Sequence, residues 1–520
     1  MRLISLIFIA CFCLTGCHKN TTDTLTILHT NDLHSHFLPS DNQYQDCDIN
    51  NPECLGGYAR IKTIADTIRA DNDDVLFLDA GDRFSGTVFY TMRKSTDLAK
   101  LTQKLNYDVI TLGNHEFDDK TDELTRFLKT VSAPVVSANV RFPTSAELSD
   151  RVQPSVLLNK NGLKVGIIGA LSEETAQETV HGRDIIIDNV IDAVRKEAKK
   201  LTQQGASILI ALTHIGIEED KQLASAVPEL DIIVGAHTHT LLSNDPNEKK
   251  AYGPYPIVIS HPDANKTLIV TAGLAGQHIG LLKTTFDNNG RIISHTGNAL
   301  RVDASIKNDT DITQTIQKVQ KILSDMTDTP IGQNPTEAYL TNKGTYCSEN
   351  CYAGEVLTDM ILSAAKNDRA DIALLNAGGI RAALPAGALT LRHIAAAYPF
   401  DSDAVLVQMS GQELMEYISF GLKKYRPDDR TNAFLQIAGG SYQFCPKTKT
   451  VTKLTVAGKS VQYNKSYHVI LSSFLADGGD GFMPQKPLKT YKISIRDMMI
   501  DSLKNGFHVK SFENRIQKEK

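Results

Sequence analysis

The chain lacks several things, and each absence narrows what it can be. It has no marked charge excess: 55 Lys and Arg stand against 60 Asp and Glu, a net charge of −5 at pH 7. That balance argues against a nucleic-acid groove as the main surface, while leaving room for a local basic pocket that takes one phosphate. There is no internal repeat and no low-complexity tract. With 41% hydrophobic and 22% charged residues, the composition is globular rather than disordered. Beyond the N-terminus no stretch is long and apolar enough to span a membrane, which takes about 20 residues. No Cys or His cluster has zinc-finger spacing. A length of 520 residues is enough for several domains.

The N-terminus reads "MRLISLIFIACFCLTGCHKN". Arg2 precedes an apolar run from Leu3 to Leu14, too short to span and suited to the core of an export signal. The run ends in Leu14-Thr15-Gly16-Cys17, which resembles a bacterial lipobox. That resemblance implies a signal peptide over residues 1–16, lipidation of the Cys17 thiol and a tether over 17–23. The protein is then expected to be exported and lipid-anchored in the cell envelope, facing the periplasm or the cell surface, with the outer membrane as the expected home. An ordinary secretory signal with an incidental Cys is the alternative. Export makes the remaining cysteines readable. Cys47 with Cys54, and Cys347 with Cys351, form two close pairs that suggest local disulfides, while Cys445 is left over as an expected buried free thiol.

Along the chain, apolar strand-like runs alternate with helical patterns: "TLTILHT", "DDVLFLDAGD", "DVITLGNHE", "KVGIIGAL", "SILIALTHIG" and "DIIVGAHTH". Between them, "GGYARIKTIADTIRA" places Ile61, Ile64, Ala65 and Ile68 on one helical face. This predicts an α/β domain over 24–310, with strand-rich sequence at its end that implies a mixed sheet or two sheets. A helix near 311–330 reads as an interdomain connector, and 331–520 as a second α/β unit.

In the first unit, strand after strand ends in ligand-type residues. These are Asp32 and His34 in "HTNDLHSH", Asp82 in "DAGDRFSG", Asn114 in "GNHEFD", His214 in "ALTHIG", and His237 with His239 in "GAHTH". Sites in open α/β sheets form beyond the carboxyl ends of strands. Residues two apart on extended backbone share a face, so Asp32 with His34, and His237 with His239, are expected to converge. Carboxylate, imidazole and one amide oxygen suit a pair of divalent ions such as Zn²⁺ or Mn²⁺. A single strand-end His is more often structural; five such ends in one domain are what point to a metal centre.

With these motifs in this order, the chain resembles the calcineurin-like metallophosphoesterases, and within them the 5′-nucleotidase family. The resemblance covers residues 24–500 or so. It implies a metallophosphoesterase αββα sandwich joined to a C-terminal nucleotide-binding α/β domain. It assigns Asp32, His34, Asp82 and His239 to one metal ion, and Asp82, Asn114, His214 and His237 to the other, with Asp82 bridging. His115 and Asp118 become the pair that contacts phosphate and stabilises the transition state, with capping of the next helix as the bland alternative for Asp118. Glu116 and Asp119 read as solvated or capping charges.

In the second unit, "LNAGGIR", "PFDSD" and "SSFLADGGDGF" carry the resemblance. It implies that Phe400 and Phe474 sandwich a base, that Asp480 accepts ribose hydroxyls, and that Asn376 and Arg381 contact phosphate or base. One departure stands out: no Arg lies between Gly344 and Asp359, where relatives often carry one for phosphate, and Lys343 cannot supply the same fork. The pattern around Cys47 and Cys54 also resembles local disulfides of animal ecto-enzymes.

The implied activity is metal-dependent hydrolysis of nucleoside 5′-monophosphates, with a hydroxide supplied by two ions attacking in line. No dedicated protein nucleophile is visible. UDP-sugar, nucleoside di- or triphosphate, or 2′,3′-cyclic nucleotide hydrolysis are alternatives on the same scaffold; a nucleoside-binding lipoprotein without turnover is another. With ligands in one unit and the base platform in the other, turnover is expected to need a closed cleft, with hinge motion near the connecting helix.

Overall fold

The computed structural model describes residues 23–519, apart from residues 43, 120, 179–184, 263, 288–289, 341–346 and 427–430. The expected signal, Cys17 and Lys343 lie outside the described residues. Two sheets organise the first half. The first runs in the order Ile292–Arg301, His278–Phe286, Asp23–Thr30, Val75–Asp79, Val109–Thr111, Val135–Val136, Val152–Gln153. Its last five members pair in parallel, while His278–Phe286 and Ile292–Arg301 add an antiparallel edge. The second has Lys266–Val270, Ile232–Val234, Ile208–His214 and Leu163–Leu171 in parallel, flanked by antiparallel Ile257–Ser260 and Ser155–Lys160.

Side-chain alternation explains how the sheets stack. Leu25, Ile27, Leu76 and Leu78 pack in one core with Ile208, Ile210 and Leu212 of the other sheet. Leu28, Val75 and Phe77 belong to a separate core with the helices Tyr58–Asp71, Ser95–Leu105 and Thr121–Thr130. The result is two sheets face to face with helices outside, the αββα sandwich. The helix Thr310–Thr327 buries Ile312, Ile316, Val319 and Leu323 in that same helical core. It is therefore packed on the first unit rather than standing free between two.

From Ala338 to Ile516 a third core forms around a sheet in the order Leu435–Ala438, Ile372–Asn376, Ser466–Ser472, Asp403–Ser410, Pro487–Ser494. Both close cysteine pairs are disulfides, Cys47–Cys54 and Cys347–Cys351. Cys445 departs from expectation: it is half-buried. In the strand Gly440–Cys445 the inward positions are Tyr442 and Phe444, so period-two alternation turns Cys445 outward.

The C-terminal segment is tied in by charge. Arg515 donates to both oxygens of Asp359, at 2.9 and 2.8 Å, and both residues are buried. Removing one partner strands the other charge in the interior. Arg515→Met is expected to lower stability by about 3–5 kcal/mol, measured by urea unfolding. A change near zero would show that Asp359 finds another partner.

Candidate metal centre and substrate cavity

The parallel strands bring their carboxyl ends to one place. The ligand atoms of Asp32, His34 and His239 lie within 4.8 Å of one another, and so do those of Asp82, His214 and His237. Asp82 joins the two groups: its Oδ2 is 3.1 Å from His214 Nε2 and 3.7 Å from His34 Nε2. Asn114 Oδ1 stands 3.2 Å from His214 Nε2 and 3.0 Å from His237 Nδ1. His34 Nε2 and His239 Nε2 are 3.2 Å apart, facing the same point. The set of oxygen and imidazole donors, turned inward, fits divalent metal ions.

His214, His34 and Asp32 are oriented from behind. His214 Nδ1 donates to the Ala80 carbonyl at 2.8 Å and His34 Nδ1 to the Phe84 carbonyl at 3.2 Å, which leaves Nε2 toward the centre. Asp32 accepts from Asn31 Nδ2 at 2.8 Å and from the His237 N–H at 3.2 Å. Gly113 is required by space: a Cβ there would lie 2.1 Å from Asp82 Oδ1.

The pairs two apart converge by a route different from the extended one expected. Asp32, His34, Asp82, His237 and His239 all have positive φ, at 49°, 44°, 56°, 84° and 55°. Left-handed backbone is costly for these residues. Its concentration in loops just past the strands marks the site as held by its surroundings.

Burial and charge set the electrostatics. Burial raises Asp32 to about 7, against the pull of His214. Burial would also raise Asp82, yet His214 and then His115 outweigh it and hold that carboxyl well below its usual range. Burial lowers His34 well below its ordinary value and His237 to about 3. Burial would lower His214 too, but Asp82 beside it carries the net shift up to about 10.

His115 opens a short 3₁₀ turn, His115–Phe117, which sets its Nδ1 2.6 Å from Asp118 Oδ2. Ser85 Oγ donates to the same oxygen at 2.6 Å. Burial opposes charge on His115, yet Asp118 and Asp82 raise its pKa overall. Glu116 departs from the expectation of a solvated charge. It is fully buried and accepts backbone N–H groups of Asp82, Arg83 and Gly113. Asp119 is half-buried and pairs with Lys94 at 2.7 Å.

A cavity of about 510 Å³ joins this centre to the second unit. Asp82, Asn114, His115, Asp118, His237 and His239 line one side; Asn376, Arg381, Phe400, Phe474 and Asp480 line the other. Asn376 Nδ2 donates to Asp480 Oδ2 at 2.8 Å. The Arg381 guanidinium lies 5.0 Å from the Phe400 ring centre, and Phe400 stacks over His115 at 6.3 Å. Tyr44 and Asn432 also line the cavity and were not foreseen. Tyr44 lies three residues before Cys47, outside the loop that the Cys47–Cys54 bridge closes, and no local pattern marks it.

Comparison with known proteins agrees with this fold. The calcineurin-like phosphoesterase profile matches residues 25–241, and the 5′-nucleotidase C-terminal domain profile matches residues 330–486. A 5′-nucleotidase of Bos taurus is 32% identical over 89% of this chain and 85% of its own. The chain belongs to the 5′-nucleotidase family. The snake venom 5′-nucleotidase of Naja atra is also 32% identical, over 88% of this chain and 91% of its own. The crystal structure of a 5′-nucleotidase precursor from Thermus thermophilus superposes with a TM-score of 0.83 at 29% identity, covering 95% of this chain and 99% of that one. The chain is thus a phosphoric monoester hydrolase, of a family that uses divalent metals.

Chelation is expected to lower the thermal unfolding midpoint, and Mn²⁺ to restore it, because a ligand of the folded state stabilises it. Asp82→Asn should abolish that restoration in scanning calorimetry. A midpoint indifferent to both EDTA and Mn²⁺ would rule out a metal centre here.

Proposed function

We propose that the chain hydrolyses nucleoside 5′-monophosphates to nucleoside and orthophosphate, using Asp32, His34, Asp82, Asn114, His214, His237 and His239 to hold two divalent ions such as Zn²⁺ or Mn²⁺. The observation that carries this reading is the shared cavity, with the metal-type cluster on one wall and Phe400, Phe474 and Asp480 on the other. When bound, two such ions polarise phosphate oxygens and make water a nucleophile near neutral pH. Asp82 sits between the two ligand groups and belongs to both. His115, whose cationic form Asp118 and Asp82 favour against burial, faces the transferring phosphoryl group and offsets charge that develops there. Arg381 reaches the same region from the second unit: it lines the shared cavity and lies 5.0 Å from the centre of the Phe400 ring that stacks over His115. Phe400 and Phe474 stack the base, tolerant of its identity. Asp480, steadied by Asn376, accepts from ribose hydroxyls.

Among the described residues lining the cavity, Arg381 is the sole Lys or Arg. One guanidinium beside the metal centre suits a single phosphate better than a di- or triphosphate. AMP, ADP, UDP-glucose and 2′,3′-cyclic AMP, with products resolved by chromatography, separate the candidates: AMP is expected to turn over fastest. Faster conversion of any other overturns the monophosphate assignment. His115→Ala and Asn114→Ala should each lower kcat on AMP by about 100–1,000-fold. Phe474→Ala should chiefly raise KM, by about tenfold. Near-wild-type rates in both His115 and Asn114 variants would sink the site assignment.

We also infer export and lipid anchoring through Cys17. The two disulfides support an oxidising compartment. No helix among the described residues is long and apolar enough to cross a membrane. Labelled palmitate should be incorporated by the wild type and not by Cys17→Ser; equal labelling of both would exclude this site.

A further inference from the structure

Glu116 is fully buried and is not among the residues that line the cavity. Its Oε2 accepts the N–H of Asp82 at 3.0 Å and of Gly113 at 2.6 Å. Its Oε1 accepts the N–H of Arg83 at 2.8 Å and of Phe84 at 3.4 Å. Residues 82–84 follow the strand Val75–Asp79, and Gly113 follows the strand Val109–Thr111. One carboxylate therefore joins the loop that carries Asp82 to the loop that carries Asn114 and His115. The His115 N–H closes the same junction by donating to Asp82 Oδ1 at 2.9 Å. Behind it, Arg83 Nη2 lies 3.5 Å from Glu116 Oε1 and donates to the Thr111 carbonyl at 2.7 Å.

We propose that Glu116 is a positioning residue for this reaction: its carboxylate sets the spacing of the two loops, and through them metal affinity and turnover. The inference rests on the roles given above to Asp82, Asn114 and His115. A carboxylate is needed because all four facing groups are donors and an ionised carboxyl is acceptor-only. Glutamine has nearly the same shape, but in either orientation its NH₂ meets two N–H groups. Glu116→Gln thus keeps the packing and reverses the hydrogen bonding on one side. A residue that merely filled space would tolerate that exchange. The left-handed Asp82 backbone, φ 56°, depends on the same clamp, because the N–H entering that residue is the one Glu116 holds.

The test titrates purified wild type, Glu116→Gln, Glu116→Asp and Leu124→Ala with Mn²⁺ by calorimetry, records the electron paramagnetic resonance of the loaded proteins, and measures kcat and KM on AMP. Leu124 is buried in the adjacent helix and serves as a control for stability alone. Glu116→Gln is expected to weaken Mn²⁺ binding by about 10–100-fold, as loss of a group that orients ligands does. It should lose the resonance of an adjacent Mn²⁺ pair and lower kcat at least about tenfold, with KM within about threefold of wild type. Glu116→Asp keeps the acceptors on a shorter arm and should fall between. Leu124→Ala should lower the melting temperature while keeping both Mn²⁺ ions and their coupling. A folded Glu116→Gln with wild-type Mn²⁺ affinity and coupling overturns the inference; if that variant does not fold, the same result in Glu116→Asp does so. A wild type that binds Mn²⁺ but leaves AMP intact refutes the substrate reading alone, and the titration still decides Glu116. A wild type that binds no Mn²⁺ removes both.

Discussion

Two carboxylates buried against each other, Asp32 and Asp82, set the terms for everything around them. They are 0% and 1% exposed. Charge in such a place is expensive unless it is paired and hydrogen-bonded. Here the charge partner is His214, 3.1 Å from Asp82, and the N–H groups of His115 and His237 are aimed at the acids, with the His34, His237 and His239 rings completing the surround. No single element could supply all of that. It takes parallel strands from two sheets, each ending at the same edge, and loops that turn at once into left-handed backbone. The sandwich delivers the groups, and the charge then selects which loop conformations survive.

A second charged layer lies just beneath. Arg83 pairs with Asp79 and stands near Glu116, all three fully buried. Thr30 donates to Asp79 Oδ2 at 2.6 Å and shares a hydrogen bond with Tyr107 at 2.7 Å. Such a network is weak evidence for stability, since apolar packing would serve as well. Its geometry is more telling. Asp79 ends one strand, Thr30 another, and Glu116 follows a third. The network ties the bases of the loops whose tips carry Asp32, Asp82 and Asn114, so the upper layer inherits its spacing from the lower one.

This layering also explains what could be read in the linear chain and what could not. The alternation of strands and helices is plain, because short runs rich in Leu, Ile and Val, such as "TLTILHT" and "DVITL", recur between helical patterns. Asp32 with His34, and His237 with His239, stood out because polar ligand types directly follow such runs. Their backbone did not: spacing of two suggested extended chain, whereas left-handed residues bring them together. Glu116 reads as a solvated charge in the sequence because its partners are backbone N–H groups, which every sequence contains and no motif advertises. The one sequence signal available is Arg83, a cation inside a ligand loop, which the fold buries beside Glu116. Tyr44 and Asn432 reach the cavity through tertiary placement alone. A leftover cysteine says nothing about which way its strand faces, so the outward turn of Cys445 has no sequence signal.

The cleft joins two units that each hold half of the chemistry, and the contacts across it fall next to the key residues. Lys94 lies 2.7 Å from Asp119 and 3.6 Å from Asp401, the neighbours in sequence of Asp118 and Phe400. Arg496 grips the same loop from the other side, donating to the Pro399 carbonyl at 3.0 Å. Phe400 is thereby held over His115 while Arg381 covers its ring. A base platform and a phosphate site positioned independently would accept any phosphate ester that reached the metal centre. Under the roles proposed above, with the Phe400 platform anchored within one residue of the His115–Asp118 pair, a correctly stacked base and a correctly placed phosphate become a single requirement. Selectivity then comes from the distance between two fixed points, which is why loose recognition of the base itself is compatible with a demanding active site.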